Sequence, residues 1–78
     1  MPTFFFHMRD GENSAKDEEG AVFQDVETAA SEARASARDW AIQIIRSGQK
    51  INGQTIELLD EQGVIRLSLP LRLVISFG

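Results

Sequence analysis

The stretch DVETAASEARASARDWAIQIIRSG, residues 25–48, predicts one long helix around which the rest of the chain is organised. Asp25 suits the N-cap, because its carboxylate can accept hydrogen bonds from the free backbone N–H groups of the first turn. Gly48 suits the left-handed position that often follows the end of a helix. Apolar residues recur at the spacing of an amphipathic helix: Val26, Ala29, Ala30, Ala33, Ala37, Trp40, Ala41 and Ile44. One face of this helix is therefore predicted to be core, and Ile42 on the other side is expected to be an ordinary exposed residue.

Short strands joined by turns are predicted on both sides of the helix. Before it come a strand over residues 3–9 and a short edge strand over residues 12–16. After it come strands over residues 55–59, 64–69 and 71–77, separated by turns or by a proline. The expected fold is an α+β domain in ββαββ order with a possible extra strand, in which the helix packs on one face of an antiparallel sheet.

Alternation within the strands assigns side chains to the two faces of the sheet. Phe4, Phe6 and Met8 share the wholly apolar face of the first strand, which we assign to the core. In the second hairpin, a loop of even length would place Leu59 opposite Val64. It would also pair four core-facing side chains, Leu58 with Ile65 and Ile56 with Leu67. The same register would place Glu57 opposite Arg66 as an ion pair on the other face: the predicted pairs are Leu59–Val64, Leu58–Ile65, Glu57–Arg66 and Ile56–Leu67.

The face of the sheet that the helix leaves uncovered is the candidate interaction surface. Phe5, His7, Leu59 and Val64 are expected there, and this mixture is more apolar than a solvated face normally is. The last predicted strand is also unusually apolar and would be an aggregation hazard if it were unpaired. Its residues Leu73 and Ile75 therefore join the candidate surface. A homodimer is expected, in which this face or the C-terminal strand edge meets a second copy.

Composition limits the classes of function that remain. The chain has 78 residues, which is enough for a single domain over 1–78 with a small core. The absence of cysteine and the single histidine exclude disulfides and thiolate metal sites. The formal net charge of −4 makes nucleic-acid binding an unexpected role, because phosphate contacts need a basic patch. No signal peptide or membrane-spanning segment is recognised, so a cytoplasmic protein without a membrane contact is expected.

Few residues suggest chemistry. His7 with Asp10 is the only candidate for acid–base work, and no nucleophile stands at a suitable spacing, so His7 is interpreted as a half-buried strand residue. The acidic turns at 10–13 and 17–19 lack the ligand order of a calcium loop. Arg34 and Arg38 are interpreted as part of a solvated helix face. No cofactor, metal site or catalytic residue is therefore predicted.

The N-terminal segment Phe5-Phe6-His7-Met8-Arg9-Asp10-Gly11 resembles the opening of a family of short bacterial proteins of unknown function. Members typically begin with an aromatic pair, His, an aliphatic residue, Arg, Asp and Gly. The segment Asp17-Glu18-Glu19-Gly20, the alanine-rich segment 28–33 and the hairpin at 53–63 are also similar, so the resemblance extends to about Pro70. A short helical end is commoner in that family, whereas alternation predicts a strand here. Because the family has no assigned activity, the resemblance implies no catalytic residue.

A small, non-enzymatic, homodimeric protein-interaction module with an unidentified partner is the function that these observations favour. The alternative is a regulatory protein that contacts nucleic acid through a dimer surface on which its arginines cluster: Arg9, Arg34, Arg38, Arg66 and Arg72. A third alternative is an enzyme that depends on His7.

Overall fold

The computed structural model describes residues 1–75, with Ile75 described by its backbone alone. Along the chain the elements are β1 (Thr3–Asp10), β2 (Asn13–Ala15), β3 (Ala21–Val22), α1 (Val26–Arg46), β4 (Thr55–Leu59), β5 (Ile65–Pro70) and α2 (Leu71–Ile75). One main helix packs on an antiparallel sheet of five strands, which confirms the predicted α+β fold.

The sheet has the strand order β2–β1–β4–β5, and every pairing is antiparallel. β1 and β4 form its centre and pair from Phe5 with Leu59 to Arg9 with Thr55. β2 pairs with the last three residues of β1, whereas β3 pairs with its first two residues. Pro70 ends β5, as predicted for a residue that cannot donate a hydrogen bond to a neighbouring strand.

Helix α1 begins and ends where its sequence predicts. The Asp25 carboxylate accepts from the Thr28 backbone N–H at 2.8 Å and from the Thr28 hydroxyl at 2.7 Å. At the other end, Gly48 adopts φ 81, and its N–H donates to the carbonyl of Ile45 while that of Gln49 donates to Ile44. Within residues 1–75, no helix is both long and apolar enough to span a membrane.

The core lies between α1 and the sheet. Phe4, Ile56 and Leu58 project from the sheet toward the helix and are almost fully buried. The facing side of the helix buries a series of small residues and one isoleucine: Ala29, Ala33, Ala37, Ala41 and Ile44. Because alanine has only a methyl group, the helix can approach the strands closely along most of its length. Ile42 is exposed on the other side of α1, as predicted.

The predicted register of the β4–β5 hairpin is wrong. The loop has an odd number of residues, 61–63, because the Asp60 N–H donates to the Val64 carbonyl and Gly63 adopts the left-handed conformation at φ 80. An irregularity between Leu58 and Leu59 shifts the pairing again. The observed pairs are Leu59–Ile65, Leu58–Leu67, Glu57–Ser68, Ile56–Leu69 and Thr55–Pro70.

The predicted last strand is also wrong, because Leu71 starts the short helix α2. Its N–H donates to the Gln54 carbonyl at 2.9 Å, and its side chain is fully buried in the cluster below α1. Val74, one turn later, packs against the same cluster, whereas Leu73 is exposed. A helix buries residues spaced by three, which the strand interpretation placed on opposite faces. Residues 76 and 77 of the predicted strand lie outside the described residues.

Candidate functional site

The candidate site is the face of the sheet opposite α1. Phe5 and Leu59 are half-buried there, and they face each other across β1 and β4. Ile65 pairs with Leu59 on the next strand and is 52% exposed. His7 is half-buried and lies two residues after Phe5, on the same face of β1. Phe5, His7, Leu59 and Ile65 are called the open-face patch below.

The structure changes the membership of this surface. Val64 precedes β5 and is 53% exposed, but Ile65 takes its predicted place opposite Leu59. Leu73 lies on α2, which packs against α1 on the other side of the sheet. The side chain of Ile75 lies outside the described part of the chain. Four of the six predicted surface residues, Phe5, His7, Leu59 and Val64, therefore occur at or next to the open face.

Two ion pairs lie near the open-face patch, one on the same face of the sheet and one at the β4–β5 turn. Glu57, the cross-strand neighbour of His7, lies with a carboxylate oxygen 3.8 Å from the Arg9 guanidinium, and its side chain is only 14% exposed. Arg66 pairs with Asp60 at 3.4 Å. The predicted Glu57–Arg66 pair is therefore wrong, because Glu57 lies opposite Ser68. Both pairs are local to the sheet and exposed at their cation, so each contributes little to stability. Each pair joins one positive and one negative side chain, so neither pair carries a net charge.

Asp17 closes a gap along β1. Its carboxylate accepts from the Phe6 N–H at 3.3 Å and from the Gly20 N–H at 3.0 Å, between the segments of β1 that pair with β2 and β3. The Gly20 hydrogen bond is the main cause of a lowered Asp17 pKa; partial burial opposes it, and the N–H groups of Phe6 and Glu19 and the charge of His7 add to it. Asp17 is therefore a structural anion that replaces a missing strand neighbour.

Gly20 holds the same loop against the open-face patch. It adopts φ +70, and a Cβ at this position would lie 2.7 Å from the Phe5 ring and 2.9 Å from the Phe4 carbonyl oxygen. Only glycine permits both this conformation and this approach. One edge of Phe5 is thus covered by its own chain, whereas the neighbouring Ile65 is left exposed.

The pair proposed for acid–base chemistry is not brought together. His7 and Asp10 are separated by an odd number of positions along β1, so they lie on opposite faces of the strand. Asp10 instead borders a shallow groove on the helix side with Met8 and Trp40. Among residues 1–75, no group of three or more His, Cys, Asp or Glu side chains could hold a metal ion.

A second groove of about 330 Å³ lies on the helix side, between α1, β5 and α2. Arg34 and Arg38 line it from α1, and the remaining lining is apolar: Leu69, Leu73 and Val74. The sequence analysis interprets these arginines as part of a solvated helix face, and both are exposed in the structure, but it does not predict the apolar wall beside them. One feature of the sequence indicates α2, and with it this groove. Leu71 and Val74 are three residues apart, which fits one turn of a helix, although alternation in the same segment fits a strand equally well.

Comparisons with known proteins identify a family but no function. Searches of curated proteins and of solved structures gave no match to this chain. The model of the domain of unknown function DUF6894 matches residues 3–72, which include every strand and all of α1. The chain therefore belongs to the DUF6894 family of domains of unknown function.

Proposed function

We propose that this protein is a small, non-enzymatic interaction module that forms a homodimer through the open-face patch. The observation that supports the proposal is an unbroken apolar row across three strands, from Phe5 through Leu59 to Ile65. Such a row, on a sheet face that neither of the two described helices covers, is typical of an interface.

The row has the composition of an interface centre with a polar rim. The next position on each strand is polar or charged, with His7 beside Glu57 and Ser68. Interfaces commonly place apolar residues at the centre and hydrogen-bonding residues around them. The row is thus the expected contact, and His7 and Glu57 are expected at its margin.

A second copy is the partner that best fits this surface. The chain has a net charge of −4, yet the Arg9–Glu57 pair at this face and the Arg66–Asp60 pair at the adjoining β4–β5 turn are each neutral. Two copies could therefore meet here with less charge repulsion than elsewhere. A domain of this size also has a small core, and association is a common way for such domains to gain stability.

Sedimentation at micromolar protein concentration tests the homodimer. Ile65→Glu places a charge at the exposed end of the row and should convert the dimer to a monomer, because the carboxylate would lose its water in the interface. Ile45→Glu is the matched control: Ile45 is 56% exposed, but it lies on α1, away from this face. It should leave the dimer mass unchanged, and circular dichroism should show that both variants are folded.

Two results contradict the homodimer. A monomer mass for the unmodified chain would remove the second copy as the partner. Dissociation by Ile45→Glu but not by Ile65→Glu would place the interface on the outer side of α1.

Nucleic-acid binding, the alternative from the sequence, has less support. Arg9 pairs with Glu57 on the open face and Arg66 pairs with Asp60 at the β4–β5 turn, whereas Arg34 and Arg38 lie on the helix side of the sheet. These arginines do not form one basic patch on a single copy. Binding to DNA or RNA that weakens steeply with salt would favour the alternative.

A further inference from the structure

We infer that the groove between α1 and α2 binds a free amphipathic carboxylate, a small molecule with a carboxylate head and an apolar chain. The head would lie between Arg34 and Arg38, and the chain would lie along Leu69, Leu73 and Val74. This site is on the helix side of the sheet and does not depend on the homodimer proposed above.

Arg34 and Arg38 form the charged half of the groove. Arg34 and Arg38 are four residues apart, so they are neighbours on the surface of α1. Within residues 1–75, neither guanidinium is within ion-pair distance of a carboxylate, although Glu32 and Asp39 are close in sequence. The planar guanidinium presents paired N–H donors that match the two oxygens of a carboxylate. In a chain with a net charge of −4, this pair is a local site for an anion.

Apolar side chains form the other half. Leu69 and Val74 are half-buried and pack against the core cluster, so they form a firm wall. Leu73 is 54% exposed and extends that wall toward solvent. Residues of α2 are held in place because Leu71 is fully buried and its N–H is bound by Gln54. An apolar wall that stands beside unpaired cations fits a ligand with both properties in one molecule.

The size and composition of the groove select against other ligands of the same charge. Its volume of about 330 Å³ is at the low end of ligand pockets, which suits one short apolar chain. Inorganic phosphate would use the arginines and leave the apolar wall uncovered. The charge and the wall together therefore point to a medium-chain carboxylate.

Calorimetric titration of the full chain with decanoate, below its micelle concentration, tests the inference. We expect saturable binding at one site per chain. The double variant Arg34→Gln, Arg38→Gln should bind decanoate at least about tenfold more weakly, because two charge-assisted contacts are lost. Both side chains are exposed, so the variant should fold normally. Arg46→Gln, an exposed arginine of α1 outside the groove lining, is the matched control and should bind as the unmodified chain does.

Two further probes separate the contributions of head and chain. Decyltrimethylammonium has the same chain with the opposite charge and should not bind, and inorganic phosphate should bind more weakly than decanoate. In NMR spectra, decanoate should shift the amide signals of residues 69–74 and of α1 near Arg34 and Arg38. The open-face variant Ile65→Glu should bind decanoate unchanged.

Several results would overturn the inference. Equal affinity in the double variant, or equal binding of decyltrimethylammonium, would show that the arginines do not recognise the head. Amide shifts confined to Leu59 and Ile65 would place decanoate on the open face. Binding of anionic lipid vesicles without binding of free decanoate would show that the groove contacts a membrane surface.

Discussion

The two faces of the central strands β1 and β4 differ in how deeply their apolar side chains are buried. On the helix side, Leu58 is fully buried against alanines of α1, whereas on the other side the adjacent Leu59 is half-buried and its neighbour Ile65 is 52% exposed. Both faces carry apolar residues, so hydrophobicity alone does not distinguish core from surface. The difference is that α1 supplies a matching layer on one face only. Stability is therefore expected to reside in the covered face, and the capacity for association in the open one.

The largest expected effect tests this contrast directly. Leu58→Ala should lower the free energy of unfolding by about 2–5 kcal/mol, because it empties a fully buried site. Leu59→Ala should cost about 1 kcal/mol in the monomer, because less of its surface leaves water on folding. Urea denaturation at low protein concentration measures both. Equal losses would contradict the contrast, and a Leu59→Ala loss that grows with concentration would support the homodimer.

Two glycines give the next largest effect. Gly20→Ala should destabilise more than Gly63→Ala, which should cost about 1–2 kcal/mol for its left-handed conformation alone. At Gly20 the added Cβ would also meet the Phe5 ring and the Phe4 carbonyl, whereas nothing lies within 4 Å of it at Gly63. Thermal unfolding of the two variants provides the comparison. Similar melting temperatures would mean that the loop does not lie against Phe5.

The close approach of α1 to the covered face can be tested by enlarging a buried alanine. Ala37→Leu should cost about 1–3 kcal/mol, because the added side chain has no space beneath the helix. Ser31→Leu adds an apolar side chain of the same kind on the exposed side of α1 and should change stability by about 0.5 kcal/mol or less. Urea denaturation should separate them clearly. An unchanged midpoint for Ala37→Leu would show unfilled space between α1 and the sheet.

The smallest effect concerns acid stability. The folded-state pKa of Asp17 lies below the ordinary value of 3.8, so the unfolded chain binds the proton more readily. The stabilisation is therefore present above pH 3.8 and is lost as the pH falls through the lowered value. Asp17→Asn should melt at a lower temperature than the unmodified chain at pH 7, and this gap should close in acid. Glu18→Gln, at a neighbouring exposed carboxylate, should show no such gap, and a gap that persists in strong acid would contradict the role of the charge.

Local signals account for the parts of the fold that the sequence predicts correctly. Asp25 and Gly48 determine the ends of α1 through bonds to residues within four positions of them. The faces of β1 follow from strict alternation, which requires no knowledge of other strands. The assignment of Met8 to the core is nevertheless wrong, because Met8 lies near the end of β1 and is 37% exposed. The family resemblance predicts a helical end more successfully than the alternation of Leu71 and Leu73 does.

The errors arise where the conformation of one turn, or a residue distant in the sequence, decides the outcome. The register of β4–β5 depends on whether the turn has an even or an odd number of residues, and Gly63 decides this through its conformation. Helix α2 depends on the Gln54 carbonyl, which is far away in sequence. The sequence analysis misses the groove at Arg34 and Arg38 because the groove exists only once α2 is in place, and alternation predicts a strand there.

The central pairing of β1 with β4 has a consequence for the speed of folding. It joins Phe5 to Leu59 across all of α1, whereas the helix and the β4–β5 hairpin are formed by nearby residues. Distant pairings form slowly, because a long loop must close before any contact compensates for the lost entropy. We expect β1 to dock last, onto a preformed helix and hairpin. Until it does, one edge of β4 is unpaired, so this interval is when the chain is most prone to aggregate.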